Sequence, residues 1–304
     1  MFSSTHRTAV IATSALLISA LLTGCGGHSS AAPAASTSAT AASQGPITQT
    51  LAGIEHRYHA RLGVYALDTG TGRTVAYRSD ERFAYASTYK ALAAGILLVR
   101  ATDDQLNHVI TYRAADLVEY SPITAQHVST GMTLRDLIAA ALQYSDNTAG
   151  NLLLEQLGGP GKLQVALRGQ GDPATHVDRT EPSLNEATPG DIRDTSTPRA
   201  LATDLRQFVL GNALSSEQRQ LLTGWLQGNT TGGPYVRAGV PSGWKVGDKT
   251  GSGGYGTRND IAVVWPAGRS PIVIAVLSDR GAPKAPSADA LIADATKATL
   301  SALR

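Results

Sequence analysis

Three runs decide how this chain folds: Trp244-Lys245-Val246-Gly247-Asp248-Lys249, Asp260-Ile261-Ala262-Val263-Val264-Trp265 and Ile272-Val273-Ile274-Ala275-Val276-Leu277-Ser278. Each is short, largely apolar and bounded by Gly- or Pro-bearing turns, the signature of a strand. No crossover helix fits between them, so they are expected to be antiparallel. Working outward, Leu62 to Leu67 and Thr74 to Tyr77 read as strands around Asp68-Thr69-Gly70-Thr71-Gly72, a hairpin signal. Ile47, Leu51, Ile54 and Tyr58 are spaced for a helix before them. A last helix is expected from Ser287 to Leu303.

Between the two groups of strands the period is helical. Thr88 to Val99 is apolar nearly all round, which marks a buried helix. Thr133 with Asp136 reads as a capping box for a helix ending near Tyr144. Thr148 to Leu157 is stopped by Gly158-Gly159. Leu163 to Arg168, Leu201 to Leu210 and Ser216 to Leu226 follow, the last opened by Ser215 and Gln218. Asp172 to Arg199 is polar and carries four prolines; a loop this long is expected to be functional. The helical region is thus an insertion between strands, and a cleft between two lobes is the expected site.

Composition bounds the function classes. The chain has 304 residues, with 26 Lys plus Arg against 24 Asp plus Glu, a formal net charge of +2 without a basic block. Nucleic-acid binding is not expected. The histidines lack ligand spacing, so neither a metal site nor a cofactor is expected. Residues 1–24 read as an export signal: Thr8 to Thr23 is uncharged, mostly apolar and short for a membrane span. Leu22-Thr23-Gly24-Cys25 ends in the only cysteine. It resembles a bacterial lipoprotein signal, which implies a lipidated Cys25. Residues 25–45, rich in Ala and Ser, read as a tether, and the folded unit is expected near Pro46. The chain is then exported and held by lipid alone on the outer face of the cytoplasmic membrane, with release as a second fate. No interface stripe stands out, so a monomer is expected.

Three short motifs occur in order. Ser87-Thr88-Tyr89-Lys90 places a hydroxyl and an amine one helical turn apart. A buried lysine can take the proton that a serine must lose to become a nucleophile. Ser145-Asp146-Asn147 lies between two helices, and Lys249-Thr250-Gly251 ends a strand. Alone, each is an ordinary cap or turn; a second S-x-x-K, Ser242 to Lys245, reads as surface turn plus strand edge. Together the three resemble class A beta-lactamases and penicillin-binding proteins. Glu181-Pro182-Ser183-Leu184-Asn185 matches the E-x-x-L-N of class A beta-lactamases, whose acyl-enzyme must be hydrolysed quickly by a base and a held water.

The resemblance covers Ile47 to Leu303. It implies an α/β protein of α+β type: a five-stranded antiparallel sheet flanked by helices, with an inserted all-helical lobe. Residues 46–304 would form the catalytic domain, 46–83 and 231–304 the α/β lobe and 84–230 the helical lobe. The implied activity is beta-lactam hydrolysis through a serine-bound acyl-enzyme. Ser87 would be the nucleophile and Lys90 or Glu181 the acylation base. Ser145 and Lys249 would serve proton transfer, and Glu181 with Asn185 would hold the deacylating water. Backbone N–H groups of Ser87 and Ser252 would form the oxyanion hole. Tyr120, Asn147, Thr250, Gly251, Ser252 and Arg258 would contact substrate, Arg258 through its carboxylate. Arg179 and Asp194 would pin the long loop by a salt bridge. Tyr89 adds a hydroxyl needing a partner, and the glycines after Ser252 are expected to leave an open strand edge. Two alternatives stay open: a D-Ala-D-Ala carboxypeptidase that binds penicillin without rapid release, and a non-catalytic lipid-anchored binding protein.

Overall fold

The computed structural model describes residues 44–304. Cys25, the export signal and most of the tether lie outside the described residues. Helix α1 (Gln44–Tyr58) leads into β1 (Arg61–Asp68) and β2 (Thr74–Tyr77). The chain then leaves the main sheet through β3 (Phe83–Ala84) and one 3-10 turn, Ala86–Thr88, into α2 (Tyr89–Arg100). Next come α3 (Asp103–Asn107), β4 (Val109–Ile110), β5 (Met132–Thr133), α4 (Leu134–Gln143), α5 (Asn147–Leu157) and α6 (Pro160–Gly169). The long loop contains a 3-10 turn, Ser183–Asn185, and β6 (Thr195–Ser196). Then follow α7 (Pro198–Val209), α8 (Ser216–Gln227), α9 (Val236–Gly239), β7 (Lys245–Ser252), β8 (Arg258–Trp265), β9 (Ile272–Asp279) and α10 (Asp289–Ala302). None of the described helices is long and apolar enough to cross a membrane.

The main sheet has the order β2-β1-β9-β8-β7, and every neighbouring pair is antiparallel. Its central strand shows why the sheet is covered on both faces. Ile272, Ile274 and Val276 join Leu62, Val64, Leu51 and Ile292 in a core under α1 and α10. The alternate residues Val273, Ala275 and Leu277 join Leu92, Ile138, Leu153 and Phe208 in the core of the helical side. The period-2 alternation of the strand therefore serves two cores at once.

Several local expectations meet the structure differently. Helix α7 begins at Pro198 rather than Leu201, because Thr197 caps it by accepting from the Ala200 N–H and proline suits the first helical position. Thr133 accepts from the Asp136 N–H, but the Asp136 carboxylate accepts from the Thr133 hydroxyl at 2.6 Å, leaving the reciprocal half of the capping box unmade. The reciprocal box at Ser215 and Gln218 does form. The two-residue pairs β3–β6 and β4–β5 went unread, since two residues carry no periodicity. Ser242 is exposed in a turn and Lys245 is exposed at the start of β7.

Candidate active site

The 3-10 turn places Ser87 before α2 rather than within it, and Lys90 still lies one turn on. Lys90 Nζ donates to Ser87 Oγ at 2.9 Å, to the Ser145 carbonyl at 2.8 Å and to Asn147 Oδ1 at 2.8 Å, and pairs with Glu181 Oε1 at 2.9 Å. Ser87 Oγ donates to Glu181 Oε1 at 3.1 Å. Glu181 Oε2 accepts from Asn185 Nδ2. Lys249 Nζ reaches the same centre from β7, donating to Ser145 Oγ at 3.0 Å and to the Thr250 carbonyl at 2.7 Å. The fold thus brings Ser87, Lys90, Ser145, Asn147, Glu181, Asn185 and Lys249 into one connected network.

Burial sets the charge state of the two lysines. Both are fully buried. Burial lowers the Lys90 ammonium below its ordinary range despite the facing Glu181 carboxylate. Burial, with the like charge of Lys90 second, lowers Lys249 to about 7.

Backbone strain is concentrated here. Ala86, Tyr120 and Ser145 have φ of +48°, +61° and +58°. Each costs about 1–3 kcal/mol for a residue with a side chain. The Asn147 N–H donates to the Tyr120 carbonyl at 2.9 Å, tying two of these turns together. Asp146, the middle residue of its motif, turns its carboxylate to other segments than the one carrying Ser87. It caps α5 through the Ala149 N–H at 2.8 Å and accepts the Ile123 and Thr124 N–H groups, both at 2.9 Å. The ordinary cap reading therefore holds for Asp146.

The long loop is held at both ends of its functional stretch. Arg179 Nε meets Asp194 Oδ2 at 2.5 Å, and Asp194 Oδ1 accepts the N–H groups of Asp178 and Arg179 at 2.9 and 3.0 Å. Asn151, one turn beyond Asn147 on α5, binds both backbone groups of Glu181 at 2.8 and 3.0 Å. Its i+4 spacing from Asn147 was the available signal, and it was missed.

Gly251 explains the glycine of the third motif. A Cβ there would lie 2.6 Å from the Tyr85 carbonyl oxygen, so only glycine lets the edge strand β7 approach the turn that carries Ser87. The expected open edge after Ser252 is instead covered. The Gly254 N–H donates to the Asn185 carbonyl at 2.8 Å, and a Cβ on Gly254 would lie 2.5 Å from the Glu186 carbonyl oxygen. Tyr89 OH is buried without a hydrogen-bond partner among the described residues, contrary to the expectation that it finds one. Its ring packs against Tyr85, centroids 6.0 Å apart.

A cleft of about 480 Å³ opens over Ser87. Tyr120, Ser145, Asn147, Asn185, Thr250, Gly251 and Ser252 line it, as do Thr231 and Tyr235, which sequence reasoning missed. Arg258 sits opposite Ser252 in the β7–β8 register but does not line the cleft. Its guanidinium donates to Asp289 at 2.9 Å, the Thr257 carbonyl at 2.9 Å and Ser287 Oγ at 2.6 Å. Those partners belong largely to the segment leading into α10, which no local pattern connected to Arg258.

The family model for the beta-lactamase enzyme family matches residues 46–303. The chain belongs to the beta-lactamase enzyme family. Among its beta-lactamase relatives, one from Amycolatopsis lactamdurans is 60% identical over 257 residues, 84% of this chain and 85% of the relative. One from Bacillus subtilis (strain 168) is 55% identical over 251 residues, 83% and 82% of the two chains. Among solved structures, a halotolerant bacterial beta-lactamase aligns with a TM-score of 0.83 and 55% identity, covering 84% of this chain and 98% of its own. The class A beta-lactamase of Clostridium kluyveri DSM 555 aligns at 0.84 with 47% identity, covering 85% and 98%.

Proposed function

We infer that the chain is a class A serine beta-lactamase, hydrolysing the lactam amide of penicillins, and of some cephalosporins, through an acyl-enzyme on Ser87. The observation that carries this reading is the Glu181 carboxylate 3.1 Å from Ser87 Oγ, with Asn185 on its other oxygen. A penicillin-binding carboxypeptidase has no need of a base so placed, whereas a lactamase needs one to deacylate.

In the sequence of steps, the lactam carbonyl oxygen enters the hole formed by the N–H groups of Ser87 and Ser252, where charge develops against fixed donors. Ser87 Oγ attacks the carbonyl carbon, and its proton passes to Lys90 or toward Glu181, both in hydrogen-bond contact with it. The C–N bond breaks, and Ser145 hands a proton to the leaving nitrogen, supplied through Lys249. Glu181 and Asn185 then hold and activate the water that cleaves the ester and frees Ser87. Asn147 orients substrate and Lys90, Tyr120 covers the ligand, and Thr250, Gly251 and Ser252 form the wall opposite. Arg258 adds positive potential from behind that wall.

Glu181→Ala tests the reading. Intact-mass spectrometry after benzylpenicillin treatment should show a lasting adduct on Ser87; turnover at the original rate would overturn the role of Glu181. For the N-terminal region the proposal is lipidation at Cys25, with residues 26–45 as tether, an exported location and a monomeric catalytic domain. Cell fractionation of a Cys25→Ser variant should move the protein from the membrane to the medium; an unchanged distribution would refute the anchor.

A further inference from the structure

The penicillin carboxylate needs donors at the strand-side wall, and the hydrogen-bond directions there leave few. Asn229 Nδ2 donates to Asp248 at 2.6 Å, which fixes the orientation of its amide. Its Oδ1 therefore accepts, from both the Thr231 N–H at 3.0 Å and the Thr231 hydroxyl at 2.9 Å. With its single proton given to Asn229, Thr231 can only accept from Thr250 Oγ1, 2.5 Å away. The one hydroxyl proton of Thr250 is thus committed to Thr231. Three of the five N–H donors of Arg258 are likewise committed, to Asp289, Ser287 and Thr257.

Tyr235 is placed to fill this gap. Its ring is anchored in the core beneath the sheet, while the residue lines the cleft and its hydroxyl lies 3.5 Å from Ser252 Oγ. We propose that the Tyr235 hydroxyl is a ligand of the substrate carboxylate, donating beside Ser252 and setting the preference of this site for anionic lactams. The proposal rests on the hydrolase reading above. Burial raises the Tyr235 phenol above its ordinary range, so it keeps its proton at neutral pH and can donate. A long, core-anchored phenol also reaches the carboxylate without the side-chain ordering a lysine would require.

The test compares benzylpenicillin with its methyl ester, which lacks the negative charge, on wild type and Tyr235→Phe. Phenylalanine keeps the ring in the core, and a thermal melt checks that the fold is retained. One lost charge-assisted hydrogen bond should lower the ratio of kcat/KM for the acid to that for the ester by about tenfold or more. Equal loss on both substrates would reduce Tyr235 to a packing residue and overturn the proposal, as would an unchanged ratio. A ratio that falls in Arg258→Ala but not in Tyr235→Phe would return the carboxylate to Arg258. Failure of the wild type to turn over benzylpenicillin would instead sink the hydrolase reading itself.

Discussion

The two walls of the cleft each carry one fully buried lysine, and the two lysines are held in opposite ways. On the helical wall Lys90 faces the Glu181 carboxylate at 2.9 Å, with two carbonyl-type oxygens and Ser87 completing its shell. Among the described residues, Lys249 on the strand wall bonds only neutral oxygens, those of Ser145 and Thr250. The first wall is charge-paired before substrate arrives. The second presents a positive charge with no bonded counter-ion, lowered by burial and by Lys90 to about 7. The same residue type at the same depth thus meets a carboxylate in one place and neutral acceptors in the other, by virtue of its neighbours.

The largest way to break this comparison is to empty the helical wall of its nucleophile. Ser87→Ala should lower turnover on the order of 10⁵-fold or more and give no covalent adduct by mass spectrometry. Lys90→Met should slow acylation about 10²- to 10⁴-fold, read from single-turnover kinetics with benzylpenicillin. Acylation at the wild-type rate would assign the base to Glu181 alone. That variant also leaves the Glu181 carboxylate buried without its ion pair, so a lower melting point should accompany it.

The strand wall is sharpened by pH. Lys249 is charged below about pH 7 and neutral above it. kcat/KM for a carboxylate-bearing penicillin should therefore fall as pH rises through 7, and Lys249→Arg should remove that limb. The linked effect on stability has the opposite sense. A lysine lowered in the folded state penalises folding at pH below 7, and the penalty is relieved between about 7 and the ordinary lysine value near 10.4.

The smallest effect serves as a control on a buried carboxyl group remote from the chemistry. Asp204 on α7 is buried, with one carboxylate oxygen unpartnered among the described residues, and burial together with the neighbouring Asp172 raises it well above the ordinary aspartate range. It stays protonated when folded at pH values where the unfolded chain ionises. Stability from this group is present at low pH and lost as pH rises from about 4 through its raised folded value. Asp204→Asn should flatten that decline, seen as a melting point higher than wild type by a few degrees at alkaline pH. A parallel pH curve would show that Asp204 is ionised in the fold.

Parts of the site were legible because their geometry is local. Ser87 and Lys90 sit one turn apart wherever that segment is helical, and the apolar run Ile272 to Ser278 between turns read as a strand. Tyr235 was illegible: its role depends on β7 bringing Ser252 to it, and nothing in Gly233-Pro234-Tyr235-Val236 records that approach. Thr231 and Asn229 were hidden for the same reason, since a hydroxyl's direction is set by partners on other segments. Arg258 was legible as a residue near the cleft wall, but its orientation followed from Asp289 and Ser287, 29 or more positions away in sequence.

The order of the main elements, the cap at Ser215, and the pairing of a serine with a lysine at helical spacing follow from the amino-acid sequence, because backbone geometry and side-chain periodicity act over a few residues. Which donors face the cleft, which lysine keeps a counter-ion and where the edge strand closes on the nucleophile were decided by tertiary contact. Charge and hydrogen-bond direction depend on distances of about 3 Å between segments that the sequence holds a hundred residues apart.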